Sequence, residues 1–439
     1  MNAMIDPESF NRGTEALKAG QYEEAKRVFT EREARAGTTA QTLALVQEAE
    51  AKLGAGEVDG AGKLLTQALE RNPSLTEAYL GLARVALFVH ESEAARVHAN
   101  AAIRLAPKLG LAWTMLGLVQ ESTGDAEGAL GHVRKGAELS PDVFLCQLNH
   151  GRLLAALGRS QEAITPLLAA TKLAPGNSEG FAMLGLTYQQ TKQYQLALLT
   201  LEKAKELAPK SLDAWATLAD VLFEVREFKA ARDLLDHGLK ACGEHPALLE
   251  KAEAAAMMLG DSAGAIAYIE RELVLVPGHE QGWLNLAALA LTTRDFDKAE
   301  RAAKALLARN PKQWEAWYLL GNLYGAMPLP REAEAAYREA IAHSEGNWKP
   351  LMNLATLLIE STVPQKHEEA LSLLEKAAAL APEGEWRVTY NLALAFTRLG
   401  KRERALELAR VIREKAPAGD ATAAEAKRLE SNLLEAMRG

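Results

Sequence analysis

Cysteine is scarce in this 439-residue sequence, which contains only Cys146 and Cys242. The two are far apart and form no CxxC pair, so the sequence offers neither a disulfide framework nor a cysteine-based metal site. We expect both to be small buried hydrophobic residues. So few cysteines suit a reducing compartment.

Basic residues are outnumbered by acidic ones. The chain has 50 Lys and Arg against 58 Asp and Glu, a formal net charge of −8. Proteins that bind nucleic acids or anionic membranes typically carry a basic excess, so neither class is predicted. No run reaches the roughly 18 apolar residues of a membrane span, and no integral membrane segment is predicted.

The first ten residues, MNAMIDPESF, show no basic stretch followed by an apolar run, the mark of a secretory signal. We therefore expect a cytoplasmic protein, or a periplasmic one if a native leader was removed.

Motifs of catalysis are missing too. The sequence has no HExxH, no GxxxxGK[ST] phosphate loop, no GxGxxG after a strand and no GxSxG elbow, and its nine histidines are scattered. We expect no catalytic residues, no metal site and no cofactor, and predict that the chain is not an enzyme.

A ladder of prolines is the most conspicuous feature that is present. Prolines recur every 34 residues, except that two steps carry another residue and small insertions lengthen the spacing near the end. The prolines are Pro73, Pro107, Pro141, Pro175, Pro209, Pro277, Pro311, Pro382 and Pro417. Proline is excluded from helix interiors, so each one marks a helix end. Twelve residues before each step, skipped steps included, lies an alanine that would let two helices approach closely: Ala25, Ala61, Ala95, Ala129, Ala163, Ala197, Ala231, Ala265, Ala299, Ala333, Ala370 and Ala405.

Each unit reads as two helices joined by a short turn. Apolar residues recur at i, i+3, i+4 and i+7, and no period-two strand pattern occurs. Glycines recur at the turn, as helix C-caps do: Gly20, Gly56, Gly124, Gly158, Gly260 and Gly400. The sequence predicts an all-α chain.

The residues of these units resemble the tetratricopeptide repeat family. The sixth unit carries its pattern at Phe181, Leu184-Gly185, Tyr188, Ala197, Leu201, Ala204 and Pro209, and the tenth at Trp317, Leu320-Gly321, Tyr324, Ala333, Tyr337 and Ala340. The resemblance implies a right-handed α-solenoid superhelix whose concave groove is lined by the first helix of each pair. It also implies a partner that is a protein or a peptide.

About twelve units are predicted over residues 6–418, followed by a C-terminal capping helix over 419–439. Their bounds are 6–41, 42–75, 76–109, 110–143, 144–177, 178–211, 212–245, 246–279, 280–313, 314–347, 348–385 and 386–418. A terminal helix is what a repeat array needs to cover its last apolar face. In the first unit, Arg12 and Arg32 stand where apolar residues are usual, as in a capping repeat.

Two stretches of the expected groove differ in chemistry. The middle stretch is apolar and suits an amphipathic partner helix, unless its residues pack inside the superhelix: Leu111, Met115, Leu118, Leu145, Leu148, Met183 and Leu186. The C-terminal stretch is polar and aromatic and suits an extended peptide or acidic segment, unless it is only a solvated face: Asn285, Tyr318, Asn322, Lys349, Asn353, Arg387, Tyr390, Asn391 and Arg398.

The C-terminal stretch partly resembles the carboxylate clamp of co-chaperone repeats. Asn322, Asn353 and Arg387 fall at three matching places. Tyr318 and Asn391 stand where the clamp has a lysine and an arginine, so two of its cations are missing.

The eighth unit breaks the small-residue pattern. Glu253 and Glu272 stand where helices normally approach closely. Buried carboxylates need partners, and Lys251, Arg271 or Arg294 could supply them; alternatively the glutamates reach solvent.

These features favour a non-catalytic interaction scaffold or adaptor, within a bacterial multiprotein machine according to its Ala-, Leu- and Arg-rich usage. Two alternatives stay open: a peptide-sensing regulator whose superhelix tightens around its ligand, and a non-catalytic subunit of an enzyme complex. Self-association also stays open.

Overall fold

The structure is a computed structural model that describes residues 40–417 and 419–438. This part of the chain forms 23 helices and no β-strand, so the all-α prediction is confirmed. The first predicted repeat, residues 6–41 with Arg12, Gly20, Ala25 and Arg32, lies outside the described residues except for its last two positions.

The chain divides into two compact units, which meet between Val225 and Arg226. The described helices of unit 1 are residues 40–54 (α1), Val58–Arg71 (α2), Thr76–Phe88 (α3), Ser92–Leu105 (α4), Gly110–Ser122 (α5), Ala126–Leu139 (α6), Phe144–Ala156 (α7), Ser160–Leu173 (α8), Ser178–Gln190 (α9), Tyr194–Leu207 (α10) and Leu212–Glu224 (α11).

Unit 2 continues the same alternation. Its helices are Phe228–Cys242 (α12), Pro246–Met258 (α13), Ser262–Leu275 (α14), Glu280–Thr292 (α15), Phe296–Leu307 (α16), Trp314–Ala326 (α17), Pro330–His343 (α18), Trp348–Ile359 (α19), Pro364–Leu380 (α20), Trp386–Arg398 (α21), Arg402–Lys415 (α22) and Ala421–Arg438 (α23).

Helix pairs are the building block of both units. Inside each unit every helix packs against the next one along the chain, and most odd-numbered helices also touch the following odd-numbered helix. We call the odd-numbered helices first helices and the even-numbered ones second helices. The recurring alanines of the second helices, from Ala61 to Ala405, are almost completely buried. A methyl group at this position is what permits the two helices of a pair to lie so close.

The turn inside most of the described pairs contains one left-handed residue. Gly124, Gly158 and Gly260 occupy that place with φ of 89°, 74° and 72°, as their predicted capping role requires. Lys192 and Arg294 hold the same place with φ of 59° and 60°. The turn geometry is therefore kept even where no glycine is present.

Tryptophans tie neighbouring pairs together at the fourth residue of a first helix. The indole Nε1–H donates to the carbonyl of the proline six residues earlier, at 2.8 to 2.9 Å: Trp113 to Pro107, Trp215 to Pro209, Trp283 to Pro277 and Trp317 to Pro311. The bond satisfies a carbonyl that helix termini leave open. Each such contact fixes where one helix pair ends and the next begins.

Helix α23 ends unit 2 by packing on α22 and α21. Its Leu433 is buried with Ala405 and Leu406 of α22, and Phe396 packs against the same cluster. The last apolar face of the helix pairs is thereby covered.

Candidate functional site

An apolar hollow opens on the first helices of unit 1. It has a volume of about 470 Å³ and is lined by Arg84, Leu87, Phe88, Leu111, Thr114, Met115, Leu118, Leu145 and Asn149. These residues belong to α3, α5 and α7, three consecutive first helices. The side chain of Phe88 is 62% exposed and that of Leu145 is 45% exposed. Large apolar groups left in water around a hollow are typical of a binding surface.

The predicted middle stretch contributes to this hollow only in part. Leu111, Leu118 and Leu145 line it with solvent-accessible surface, and Met115 forms its buried floor. The remaining three predicted residues, Leu148, Met183 and Leu186, do not line it. Leu148 is buried, which withdraws it from any surface a partner could reach without a rearrangement.

Phe88 was missed by the sequence analysis, although it stands at a groove-facing place, the thirteenth of its unit. Comparison with the equivalent residue of other units, such as Ser122, Gln190 or Thr292, could have revealed it, because few units have a bulky apolar side chain there.

Polar groups at the edge of the hollow are already paired. The guanidinium of Arg84 forms an ion pair with Glu50 of α1, and the amide Nδ2 of Asn149 donates to the Leu145 carbonyl at 2.8 Å. Arg84 is the one charged residue among the groups that line the hollow. The hollow therefore offers an apolar floor with a neutralised rim.

In the C-terminal stretch, the structure brings Tyr318, Asn322 and Asn353 into one hydrogen-bonded cluster. The amide Nδ2 of Asn353 donates to Asn322 Oδ1 at 2.8 Å and to the Tyr318 hydroxyl at 3.2 Å. Asn322 Oδ1 also accepts from the hydroxyl of Tyr337 at 2.9 Å. Burial raises the pKa of the Tyr337 hydroxyl, so it stays a donor. These amides hold neighbouring first helices together.

Arg387, Tyr390 and Asn391 are also engaged within the chain. Arg387 pairs with Glu425 of α23 at 2.5 Å, and its guanidinium lies 5.8 Å from the ring of Tyr390. Asn391 is buried and donates to Thr356 Oγ1 at 2.9 Å, so it is not a surface group. A clamp arginine that already holds a carboxylate from its own chain is not open to an external one.

Asn285, Lys349 and Arg398 lie apart from that cluster. Asn285 donates to Glu253 Oε1 at 2.9 Å. Lys349 and Arg398 are exposed, and the Lys349 ammonium lies 6.0 Å from the Trp348 ring.

The glutamates of the eighth unit have different neighbours from those expected, and Glu272 Oε2 is buried without a hydrogen bond. Glu272 is only 4% exposed, and its Oε1 lies 2.7 Å from His279 Nδ1. Arg271, one of the expected partners, pairs with Glu244 instead. Burial raises the pKa of the Glu253 carboxyl, and the nearby charge of Glu272 adds to the effect. The alternative that both glutamates reach solvent is wrong for Glu272.

Within residues 40–417 and 419–438, no group of three or more His, Cys, Asp or Glu is arranged to hold a metal ion. Over the same residues, no helix combines the length and the apolar character needed to cross a membrane.

The sequence was compared with known protein families and proteins. The sequence matches the tetratricopeptide repeat family over residues 46–92, 178–211, 284–347 and 364–420. No curated protein matches the sequence.

Three solved structures illustrate the resemblance. Pseudomonas aeruginosa pilF is 26% identical over 46% of this chain and 92% of its own, with a TM-score of 0.41. Yeast Tom70 is 15% identical over 91% of this chain and 97% of its own, with a TM-score of 0.40. The Thermus thermophilus protein TTC0263 is 24% identical over 42% of this chain and 99% of its own, with a TM-score of 0.37. At these TM-scores the likenesses say nothing about partners.

The matched segments are spread along the chain and coincide with helix pairs that share one buried alanine, and most of these pairs also have one left-handed turn residue. Over these segments the chain is a tetratricopeptide repeat protein.

Proposed function

We propose that this protein is a non-catalytic scaffold that holds an apolar segment of a partner protein in the hollow formed by α3, α5 and α7. Repeats of this family generally mediate protein–protein interaction. The observation that carries the proposal is the exposed pair Phe88 and Leu145 at the mouth of an apolar hollow of about 470 Å³.

An amphipathic helix is the occupant that fits the chemistry best. Its apolar face would bury Phe88 and Leu145, and each Å² of apolar surface removed from water contributes roughly 25 cal/mol. Met115 on the floor can adapt to differently shaped side chains, because its unbranched chain has three rotatable bonds. Because the rim charges are already paired, the partner needs no specific charge at this site.

A bacterial multiprotein machine, suggested by the composition, and a cytoplasmic setting are part of this proposal, and a peptide-sensing regulator or an enzyme-complex subunit would use the same hollow. The C-terminal stretch remains a hypothesis as a second site. A partner there has to displace bonds such as Asn353 to Asn322 and Arg387 to Glu425.

The test compares the intact chain with the Phe88→Asp, Leu145→Asp double variant as bait in a lysate of the source organism, read by quantitative mass spectrometry. Two carboxylates in the hollow should reduce the amount of one set of partners recovered with the bait by tenfold or more. Val97→Asp is the matched control, because Val97 is an exposed apolar residue of the same unit that does not line the hollow. An identical partner set for the double variant and the intact chain would contradict the proposal.

A further inference from the structure

A second hollow lies among α14, α15 and α16 of unit 2. It has a volume of about 390 Å³ and is lined by Glu270, Leu273, Val274, Trp283, Leu286, Lys298, Arg301, Ala302 and Ala305. Val274 stands at its edge with 79% of its side chain exposed. This hollow is formed mainly by second helices and is separate from the first-helix hollow of unit 1.

Unit 1 contains the same hollow three repeats earlier, at α8, α9 and α10. Leu168, Phe181 and Leu184 there correspond to Glu270, Trp283 and Leu286 in the 34-residue register. The hollow is thus a feature of how helix pairs stack, and its lining varies with the sequence.

The lining of the unit 2 hollow differs in charge. Leu196 and Leu199 of unit 1 are replaced at the equivalent positions by Lys298 and Arg301. Lys298 is paired with Glu270 at 2.8 Å. Arg301 is exposed and has no carboxylate within 4.0 Å among the described residues.

A third cation lies beside the aromatic wall. The guanidinium of Arg309 is 5.6 Å from the ring of Trp283, whose Nε1 is held by the Pro277 carbonyl. Three cations therefore surround an apolar hollow that contains a single carboxylate, in a chain whose net charge is −8. A local positive surface attracts anionic partners, because opposite charges complement each other across an interface.

We propose that this second-helix hollow binds an acidic segment of a partner protein, with one large aliphatic side chain of that segment seated against Val274 and Trp283. A flanking carboxylate pairs with Arg301. The exposed Val274 supplies the apolar contact and Arg301 supplies the charge selection. This surface is independent of the hollow at α3, α5 and α7.

The experiment uses the intact protein and two fluorescent peptides that differ only in charge. One contains leucines flanked by glutamates, and in the other every glutamate is replaced by glutamine. Fluorescence polarisation at low salt should give at least about tenfold tighter binding of the glutamate peptide, and the difference should shrink as salt is raised.

Variants then locate the binding. Arg301→Glu should weaken the glutamate peptide by about tenfold or more, and Val274→Asp should weaken both peptides. Arg331→Glu is the matched control: it reverses an exposed arginine of the same unit outside the hollow, and it should leave binding within about twofold. Circular dichroism checks that the variants are folded.

Three results would overturn the proposal: no binding of the glutamate peptide up to millimolar concentration, equal binding of the two peptides, or unchanged binding by Arg301→Glu. Loss of partners in the Phe88 and Leu145 variant has no bearing on these outcomes, so the two proposals fail or succeed separately.

Discussion

A single left-handed residue closes the first helix of most described pairs, and its identity has a measurable cost. For an L-residue with a side chain, the left-handed region is about 1 kcal/mol less favourable than for glycine. Lys192, with φ of 59°, bears this cost, whereas Gly158 at the equivalent place does not. An added side chain at Gly158 would meet no atom within 4 Å, so the difference is one of backbone conformation alone.

We predict that Lys192→Gly raises the free energy of unfolding by about 0.5–1 kcal/mol, because it removes that conformational cost. Urea denaturation followed by circular dichroism measures the change. Gly158→Ala is the reverse control and should lower stability by a similar amount. A destabilised Lys192→Gly would mean that the lysine side chain contributes more than its backbone costs.

The half-buried carboxyl of Glu253 should make the stability of the folded chain depend on pH. Because burial raises the pKa of its carboxyl in the folded chain, the stability it contributes is fully present below the unfolded value near 4.5 and is lost as pH rises through the folded value. Glutamine imitates the protonated form and can still accept from Asn285. We expect Glu253→Gln to be more stable than the parent at pH 7, by a few tenths to about 1 kcal/mol, and equal to it at pH 4 and below.

Thermal unfolding between pH 4 and pH 8 measures this difference. Glu250→Gln is the control, since Glu250 is an exposed residue of the same helix. A stability difference that does not change with pH would show that Glu253 ionises as freely in the folded chain as in the unfolded one.

The eighth unit also shows where residue-level reading of the sequence stops. The register identified Glu253 and Glu272 as unusual, because every repeat places a known residue class at each position. It could not identify His279 as the neighbour of Glu272. That contact depends on the conformation of the turn after α14 and on the side-chain conformations of both residues. Position follows from the repeat, whereas pairing follows from side-chain conformation.

At the scale of the helix, the contacts between successive first helices decide what the groove can offer. Bonds such as Asn353 to Asn322 and Asn391 to Thr356 join residues one repeat apart. The sequence predicted the helix pairs, their turns and the groove-facing positions, since these follow from periodicity. It could not predict that polar groove residues satisfy one another, because long side chains reach neighbours that the register alone does not specify.

Removing the hydrogen bond from a tryptophan to a proline carbonyl should lower the free energy of unfolding. Trp317→Phe keeps the aromatic packing but leaves the Pro311 carbonyl without its indole donor, and we expect a loss of about 0.5–1.5 kcal/mol in the free energy of unfolding. Chemical denaturation measures it. Phe181→Trp is the matched control, because Phe181 holds the same place in its repeat and its tryptophan could donate to the Pro175 carbonyl. It should be neutral or stabilising, and a large loss there would point to packing as the cause of both effects.

At the scale of the whole molecule, each helix pair contacts mainly its neighbours along the chain, so a surface is formed by helices that are close in sequence. Each proposed surface is built from helices that are close in sequence: α3 to α7 for the apolar hollow, and α14 to α16 for the cationic one. Substitutions in one should leave the other unaffected, because distant sites without shared contacts behave additively. A scaffold of this kind can hold two chemically different partners without coupling between them.

The same locality predicts what happens when α23 is removed. Ending the chain at Asp420 exposes Leu406 and Phe396 and deprives Arg387 of its carboxylate partner. Since repeat arrays are stabilised by nearest neighbours, we expect α21 and α22 to lose hydrogen-exchange protection by about 3 kcal/mol or more, while α1 to α11 keep theirs. A chain ending at Ala436 is the control, because it keeps Leu433 and the carbonyl that accepts from Arg402. Equal loss of protection across α12 to α22 would instead show that unit 2 unfolds as one cooperative block.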